Sequence, residues 1–370
     1  MENKVTSISK YMTQARQKRK NLSDILAFIV ERGQTTRREI ERETGFSWGT
    51  VSESVAELVS RGYLAEVAQS AGTVGRQSTV LTLSGDKVVA IGVDVNTTAV
   101  SACVVGFDQA TVWNKVVPFE ARTQEEVIDM LIGLIGSAVA ECGDRRIMGI
   151  GVAMQGAVDS ASGVSVHFPS VGSWTPVDLG GLIEKRFGIP ALIEHDPRCL
   201  LFARTVKSKI KDGILLRVDN GIGLAVIQDG RLLTDCDRLE VGHTIVKRNG
   251  EPCTCGRRGC LEAYSSIRGI ERLSGLEFAE VAGGKMGELL DQAGEYLAVS
   301  TFNLCVMFAP QKVILTGKLA ENERFATSFS QNLAEIAGDA QVDVEFDFEL
   351  SASYGVAVAK MREEIKKNVI

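Results

Sequence analysis

The stretch that decides the fold is Cys253-Thr254-Cys255-Gly256-Arg257-Arg258-Gly259-Cys260, preceded ten residues upstream by Gly242-His243. It holds three of the chain's eight cysteines, in a Cys-x-Cys pattern followed by Gly-x-x-Gly-Cys. The glycines let the backbone fold back, so that three thiolates can face one point. One imidazole and three thiolates form a closed tetrahedral zinc set of the structural kind. We therefore predict a zinc site; a buried cysteine cluster or a chance match is the alternative. The predicted ligands are His243, Cys253, Cys255 and Cys260.

Length and composition indicate a globular chain of two or three domains. The chain has 370 residues, of which 45% are hydrophobic and 24% are charged. It has no uninterrupted apolar run of about 18 residues, and its N-terminus Met1-Glu2-Asn3-Lys4 lacks the apolar core of a secretory signal. Most cysteines outside the metal motif are isolated in apolar surroundings and are predicted to be reduced. We therefore expect a cytoplasmic protein without a membrane partner.

The charge is distributed unevenly along the chain. Residues 1–85 carry 12 Lys and Arg against 9 Asp and Glu, whereas the rest of the chain carries 29 against 38. A mildly basic head on an acidic body is compatible with a head that binds DNA and a body that does not.

The head, residues 1–85, has the pattern of a winged helix-turn-helix. We expect a polar frayed helix or arm over residues 6–20 and then a first helix that starts at Asn21. Thr36-Arg37-Arg38-Glu39 is a capping box that opens a second helix, which Gly45 ends. The third helix starts at Ser47 and would be the recognition helix, whose N-terminal half offers polar groups to base edges. The predicted DNA contacts on it are Trp48, Thr50, Ser52, Glu53 and Ser54.

Two strands, 63–67 and 78–83, follow the helices and predict the wing. The glycine-containing loop 72–77 joins them and places Arg76 at the wing tip, where it suits a narrow minor groove. A winged helix used only for protein contacts is the alternative.

Several motifs resemble the ROK family of repressors, open reading frames and sugar kinases. They are Glu240-Val241-Gly242-His243, the cysteine run, Gly259-Cys260-Leu261-Glu262-Ala263-Tyr264, and Gly149-Ile150-Gly151-Val152-Ala153 with Gly156-Ala157-Val158-Asp159. The resemblance extends along almost the whole chain. It implies an α/β fold with a two-lobed, actin-like ATPase (ribonuclease H-like) body, which agrees with the alternation of strands and helices in two similar halves.

The predicted domains follow from this resemblance. Residues 1–85 form the winged helix-turn-helix, residues 86–197 form lobe 1 together with the closing helix 351–370, and residues 198–350 form lobe 2. Lobe 2 contains the zinc knuckle, residues 243–260.

The resemblance also implies a sugar site. In the family, the Glu and His of Gly-Glu-Ile-Gly-His, the Glu of Gly-Cys-Leu-Glu and the Asp of Glu-Asn-Asp contact the sugar, and zinc holds the other nitrogen of the His. The matching residues are Glu240, His243, Glu262 and Asp196. His195 and Ser170 stand where the family usually has Asn and are included as candidate contacts.

The residues themselves leave alternatives open. Asp196 follows a predicted strand end, where open α/β sheets place ligands, but Pro197 makes a helix N-cap an alternative role. Glu240 and Glu262 are surface acids in the alternative interpretation.

Two segments that match the family's phosphate loops have lost glycines. Asp94-Val95-Asn96-Thr97-Thr98 stands for Asp-x-Gly-Gly-Thr, and Asp219-Asn220-Gly221-Ile222-Gly223-Leu224-Ala225 stands for Gly-Thr-Gly-Ile-Gly-Gly-Gly. Side chains at the first loop crowd a phosphate, and Asp219 repels it. We therefore predict that the chain does not bind ATP productively and is not an enzyme.

We predict a sugar-responsive DNA-binding regulator, most simply a repressor of carbohydrate-utilisation genes. It would bind operator DNA as a homodimer or a dimer of dimers, and a sugar or sugar derivative would change its operator affinity. One alternative is an ATP-dependent sugar kinase with an added DNA-binding head, in which Asp196 is the catalytic base. Another is a regulator whose body senses a partner protein.

Overall fold

A computed structural model describes residues 2–68, 79–120, 122–169, 171–208, 210–233 and 239–367. The chain divides into two compact units. The first unit comprises Met1–Glu194 and Ser353–Ile370, and the second comprises His195–Ala352. The boundaries 1–85, 86–197 and 198–350 given above remain predictions.

The head has the element order of a winged helix-turn-helix, as predicted. Its elements are α1 (Glu2–Arg32), β1 (Gln34–Thr35), α2 (Arg37–Thr44), α3 (Trp48–Ser60), β2 (Leu64–Ala68) and β3 (Thr79–Leu83). The strands lie in the order β1-β3-β2 and pair antiparallel. The predicted wing tip with Arg76 lies outside the described residues.

The first helix differs from the prediction. It is continuous from Glu2 to Arg32, so the expected helix start at Asn21 is wrong, and residues 6–20 are helical, which is one of the two predicted alternatives for them. Lys, Arg and Gln are good helix formers, and they favour extension of the helix on the N-terminal side of Asn21. Lys18, in this exposed part, contacts Glu53 and Glu57 of α3 at 2.9 Å each.

Helices α2 and α3 begin and end where local sequence signals put them. The Thr36 side chain accepts from the backbone N–H of Glu39 while the Glu39 carboxylate accepts from that of Thr36, which completes the predicted capping box. Gly45 closes α2 with a φ of 74°, and Ser47 caps α3. These caps supply partners for backbone groups that a helix end leaves unpaired.

The rest of the first unit contains a mixed sheet. Its elements are β4 (Val88–Val95), β5 (Ala99–Gly106), β6 (Thr111–Pro118), α4 (Gln124–Cys142), β7 (Arg146–Met154), β8 (Ala157–Asp159), β9 (Val164–His167), β10 (Val177–Asp178), α5 (Leu179–Phe187) and β11 (Ala191–His195). The strand order of the larger sheet is β11-β7-β4-β5-β6, with β4 antiparallel to β5 and parallel to β7.

The second unit repeats this strand order. Its elements are α6 (Asp196–Lys207), β12 (Gly213–Val218), β13 (Ile222–Gln228), β14 (Arg231–Leu232), a 3₁₀ turn (Val241–His243), α7 (Glu262–Ser265), α8 (Ile267–Ser274), α9 (Phe278–Ala282), α10 (Glu288–Phe308), β15 (Lys312–Thr316), α11 (Glu323–Ala337) and β16 (Val344–Phe346). The sheet order is β14-β13-β12-β15-β16, with β12 antiparallel to β13 and parallel to β15. Two sheets with the same pairing pattern agree with the predicted two-lobed actin-like body.

The closing helix α12 (Ala352–Lys366) packs in the first unit. It approaches β4 so closely that a Cβ on Gly92 would lie 1.8 Å from the carbonyl oxygen of Ser353. Apolar residues of α4 and of the sheet form the core of this part of the unit. Glycine at position 92 is therefore needed for the sheet and the helix to meet.

Tyr63 joins the head to the sheet of the first unit. It is 1% exposed, and its ring packs edge-on against Phe107 with 5.0 Å between the ring centroids. The guanidinium of Arg146, at the start of β7, lies over the ring and donates a hydrogen bond to the Tyr63 hydroxyl. Hydrophobic burial, a cation–π contact and a hydrogen bond therefore act on one side chain.

Among the described residues, no helix has both the length and the apolar character needed to span a bilayer.

Candidate metal centre and ligand site

The predicted zinc ligands meet in the second unit. The ligand atoms of His243, Cys253, Cys255 and Cys260 all lie within 4.8 Å of one another. The Cys253 Sγ lies 3.6 Å from the His243 Nδ1, and the Cys255 Sγ lies 3.6 Å from the Cys260 Sγ. A tetrahedral zinc ion places two sulfurs about 3.8 Å apart and a sulfur and a nitrogen about 3.5 Å apart. The donor set therefore fits a metal ion in both chemistry and spacing.

Backbone hydrogen bonds and glycines shape the zinc knuckle. The N–H of Cys253 donates to the carbonyl of Arg257 at 2.8 Å, which turns the chain between the first two cysteines and the third. Gly259 has a φ of 78°, and a Cβ there would lie 1.7 Å from the carbonyl oxygen of Lys247. Only glycine tolerates both the conformation and the contact, so Gly259 brings Cys260 to the other ligands.

Tyr264 packs against the zinc knuckle, and this structural role was not predicted from the sequence. Its hydroxyl accepts from the backbone N–H of Glu251 at 2.6 Å, and its ring packs edge-on against Tyr296 with 4.9 Å between the centroids. A Cβ on Gly250 would lie 2.1 Å from the same hydroxyl. The Gly-Cys-Leu-Glu-Ala-Tyr segment therefore supplies a ligand and a packing residue together.

The thiols differ in acidity. A hydrogen bond from the backbone of Arg257 lowers the pKa of Cys255 to about 7. Burial, followed by the neighbouring thiols, raises the pKa of Cys260 to about 12. A bound dication favours the thiolate at each position, so metal binding would release protons.

Asp196 begins α6 as a buried carboxylate, with 2% exposed surface. The N-cap position belongs to His195, and the cap has no side-chain hydrogen bond. The N-cap alternative for Asp196 is therefore wrong. His195 is half-buried, and its Nε2 lies 3.5 Å from the Asp196 Oδ1.

Arg217 is the residue of this site that sequence analysis missed. It lies on β12 and donates to the Asp196 Oδ2, while its other terminal nitrogen lies 3.4 Å from the Asp219 Oδ2. Its side chain is 15% exposed. The available signal was one cation in the otherwise aliphatic strand Gly213–Val218.

Glu262 lies beside the turn between β12 and β13. Its Oε2 accepts from the backbone N–H of Ile222 at 3.3 Å. A Cβ on Gly221 or on Gly242 would lie 2.9 or 3.2 Å from the same oxygen, so both glycines leave room for the carboxylate. Glu262 thus has a structural contact, and its other oxygen has no hydrogen bond within the described part of the chain.

The remaining predicted sugar contacts of this group precede Glu262 in the sequence. His243 directs Nδ1 toward Cys253, which leaves Nε2 as the nitrogen for a ligand. Glu240 is exposed and immediately precedes the 3₁₀ turn. Ser170 lies outside the described residues.

The first phosphate-loop match has its backbone donors occupied. The N–H groups of Thr98 and Ala99 both donate to the Asn96 side-chain oxygen at 2.9 Å. The N–H of Thr97 donates to the Gln155 side chain at 3.1 Å, and that of Asn96 donates to the carbonyl of Ala99. A phosphate that bound through these backbone N–H groups would have to displace these hydrogen bonds.

Three backbone donors of the second phosphate-loop match also have acceptors within the protein. The N–H of Asn220 donates to the Asp219 carboxylate at 3.0 Å, and the N–H of Asp219 donates to the carbonyl of Gly221 at 2.9 Å. The N–H of Ile222 is taken by Glu262. Two carboxylates, those of Asp219 and Glu262, thus accept from backbone N–H groups of this turn.

The recognition-helix candidates differ in exposure. Trp48 is 48% exposed at the start of α3. Glu53 is exposed and paired with Lys18, and Thr50 and Ser52 are half-buried. Ser54 is only 5% exposed and faces the core of the head, so it is unsuited to contact a base edge.

The chain thus combines a head with the element order of a winged helix-turn-helix, an actin-like body and a His-Cys₃ cluster. The chain belongs to the ROK family, whose model matches residues 90–355.

Relatives of the chain support this classification. The xylose repressor of Bacillus subtilis (strain 168) is 25% identical over 323 residues, which cover 82% of this chain and 84% of the relative. The DNA-binding transcriptional dual regulator NagC of Escherichia coli (strain K12) is 25% identical over 337 residues, which cover 83% of this chain and 82% of the relative.

Solved structures share the fold. A ROK family transcriptional regulator, described as a homologue of the E. coli MLC protein, has a TM-score of 0.79 at 18% identity and covers 95% of this chain and 97% of its own. The ROK hexokinase of Thermus thermophilus has a TM-score of 0.65 at 24% identity, but it covers 75% of this chain and 99% of its own.

Proposed function

We propose that this protein is a sugar-responsive transcriptional repressor of carbohydrate-utilisation genes. The observation that carries the proposal is the winged helix-turn-helix head, because it adds a DNA-binding element to a body of the sugar-kinase type. The two matched regulators align over more than four-fifths of their length, and they are named as a xylose repressor and a DNA-binding transcriptional dual regulator. We place the protein with its operator DNA in the cytoplasm.

The proposed DNA contacts are Trp48, Thr50, Ser52 and Glu53 on α3, together with Arg76 at the wing. An exposed indole can pack on the methyl group of a thymine, and short hydroxyl side chains can reach base edges. The protein would bind as a homodimer or a dimer of dimers, since a palindromic operator mirrors a two-fold axis.

The proposed effector is a sugar or sugar derivative held by Asp196, Glu240, His243 and Glu262, with His195 and Ser170 as further contacts. Carboxylates accept pairs of hydroxyl hydrogens, and a metal on Nδ1 fixes the imidazole so that Nε2 carries the hydrogen offered to the ligand. We propose zinc as the metal, because a His-Cys₃ set suits zinc and leaves no open position for catalysis.

A sugar kinase with an added head is the second candidate, and the shared fold with ROK hexokinase favours it. Two observations count against it. Protein acceptors occupy the N–H groups of residues 96–99 in the first phosphate-loop match and those of Asp219, Asn220 and Ile222 in the second. Arg217 is bonded to Asp196, the residue that would act as base.

The test is a DNA shift assay on the gene's own upstream region at fixed salt, with a panel of xylose, glucose, N-acetylglucosamine and their phosphates. We expect binding without sugar and a change in affinity with one of them. Trp48→Ala should weaken binding by about tenfold without a change in melting temperature. The matched control Met307→Ala removes a side chain that is 66% exposed on α10 and should bind as the wild type does.

Two results would replace the proposal. Phosphorylation of a hexose that disappears in Asp196→Asn would make the protein a kinase. DNA binding with no thermal shift from any sugar would favour a partner protein as the signal.

A further inference from the structure

We propose that Arg217 is a positioning residue for effector binding: it fixes the Asp196 carboxylate and ties it to the turn that Glu262 contacts. This inference rests on the proposed function, because it assumes that the two carboxylates hold the effector. Arg217 itself would not touch the ligand.

The position of Arg217 requires a specific role. Its neighbours on β12 are Leu216 and Val218, both fully buried, and it pairs across the sheet with Gly223 and Thr316. A cation in such a strand is costly unless carboxylates compensate it. Arg217 has two such partners, Asp196 and Asp219.

Arg217 leaves Asp196 with one oxygen directed elsewhere. The guanidinium holds Oδ2, while Oδ1 lies 3.5 Å from the His195 Nε2, which is too far for a strong hydrogen bond. Oδ1 is therefore the oxygen that a sugar hydroxyl can approach. A fixed carboxylate plane lowers the entropy lost when the hydroxyl binds.

Asp219, the second partner of Arg217, connects Asp196 to the turn that Glu262 contacts. Asp219 begins the turn between β12 and β13, and its carbonyl accepts from the N–H of Ile267 at the start of α8. Ile222, at the end of the same turn, donates to Glu262. The chain of contacts Asp196–Arg217–Asp219–turn–Glu262 thus links two of the proposed sugar contacts.

Only arginine suits this role. Its planar guanidinium can bond two carboxylates in fixed directions, whereas lysine presents a single ammonium group on a flexible stem. Arg217→Lys should therefore keep the charge and lose part of the geometry.

The experiment measures the dissociation constant of the sugar that acts in the shift assay, by titration calorimetry on the full chain. We expect Arg217→Gln to raise this dissociation constant by about tenfold or more, since a charge-assisted contact is lost. The dissociation constant of Arg217→Lys should lie between those of the wild type and Arg217→Gln. Millimolar guanidinium ion should restore much of the affinity of Arg217→Ala. In an Asp196→Asn background, Arg217→Gln should add little further loss.

The matched control is Arg324→Gln. Arg324 forms a bidentate ion pair with Asp291 in the same unit, at 2.8 and 2.6 Å, on an exposed surface. It should leave sugar affinity unchanged.

Three results would overturn the inference. If Arg217→Gln binds the sugar as tightly as the wild type does, the proposed function stands and the positioning role is wrong. If the Arg217 variants lose affinity only in proportion to a lower melting temperature and guanidinium restores nothing, the residue is merely structural. If the wild type binds no sugar of the panel, the effector part of the proposed function fails, and this role fails with it.

Discussion

Cys255 is the ligand whose replacement tests the metal centre most directly. It lies between the other thiols of the cluster, and the backbone of Arg257 already lowers its pKa to about 7. We expect Cys255→Ser to remove most of the zinc from a protein that otherwise carries about one ion per chain, and to lower the melting temperature. Elemental analysis of the purified variant is the measurement.

Cys305→Ser is the matched control for this substitution. Cys305 lies on α10 in the same unit but outside the cluster, and burial raises its pKa. Its variant should retain full metal content. Full metal content in Cys255→Ser would contradict the four-ligand site.

At the scale of one residue, Arg217 bears on the choice between the two proposed functions. A kinase would use the Asp196 carboxylate as the base that takes a proton from a sugar hydroxyl. Arg217 donates to that carboxylate, which supports the proposed binding role of the site.

At the scale of elements, the capping box of α2 controls the start of the helix that precedes α3. Thr36→Ala should cost about 1 kcal/mol of unfolding free energy, because it removes an acceptor for a helix N-terminal N–H. Urea denaturation of the variant and the wild type at pH 7 gives this difference.

The same box makes a pH-dependent contribution. The backbone N–H of Thr36, followed by the Thr35 hydroxyl, lowers the pKa of Glu39 below its usual 4.5. A lowered pKa means that the stabilisation is present above the unfolded pKa and is lost as pH falls through the folded one. Glu39→Gln should therefore flatten the loss of stability below about pH 4.5. An unchanged acid profile would show that the box does not contribute.

The joint between the head and the adjoining sheet depends on Tyr63. Tyr63→Ala should cost about 3–5 kcal/mol, since it removes a buried ring, whereas Tyr63→Phe should cost about 1 kcal/mol, the value of its hydrogen bond. Denaturant unfolding of the two variants separates these contributions. Equal losses in both would mean that the hydroxyl, and not the ring, holds the joint.

At the scale of the whole molecule, the proposed metal site lies within one unit. All four ligands lie within His195–Ala352. Removing the ion with EDTA should therefore lower the melting temperature of the second unit by about 10 °C or more and leave that of the first unchanged. Differential scanning calorimetry should show a lower melting temperature for one of two unfolding transitions. An equal decrease in the melting temperatures of both transitions would contradict the assignment of the metal to the second unit.

The sequence determined the parts of this protein that depend on local order. The residues Thr36 and Ser47 predicted helix starts, and the Cys-x-Cys spacing predicted the metal ligands, because these interactions join residues a few positions apart. The long first helix was mispredicted, because a good N-cap residue at Asn21 does not stop a helix whose preceding residues also favour it.

Only the tertiary structure decided which donors and acceptors are already used. Gln155 closes the first phosphate loop from 58 residues away, Glu262 closes the second from 40, and Arg217 reaches Asp196 across 21. The sequence did not predict that Ser54 is buried in the head, because its polar side chain suggested exposure. Such pairs form because the fold brings distant segments together, and neither periodicity nor spacing along the chain encodes which of them will meet.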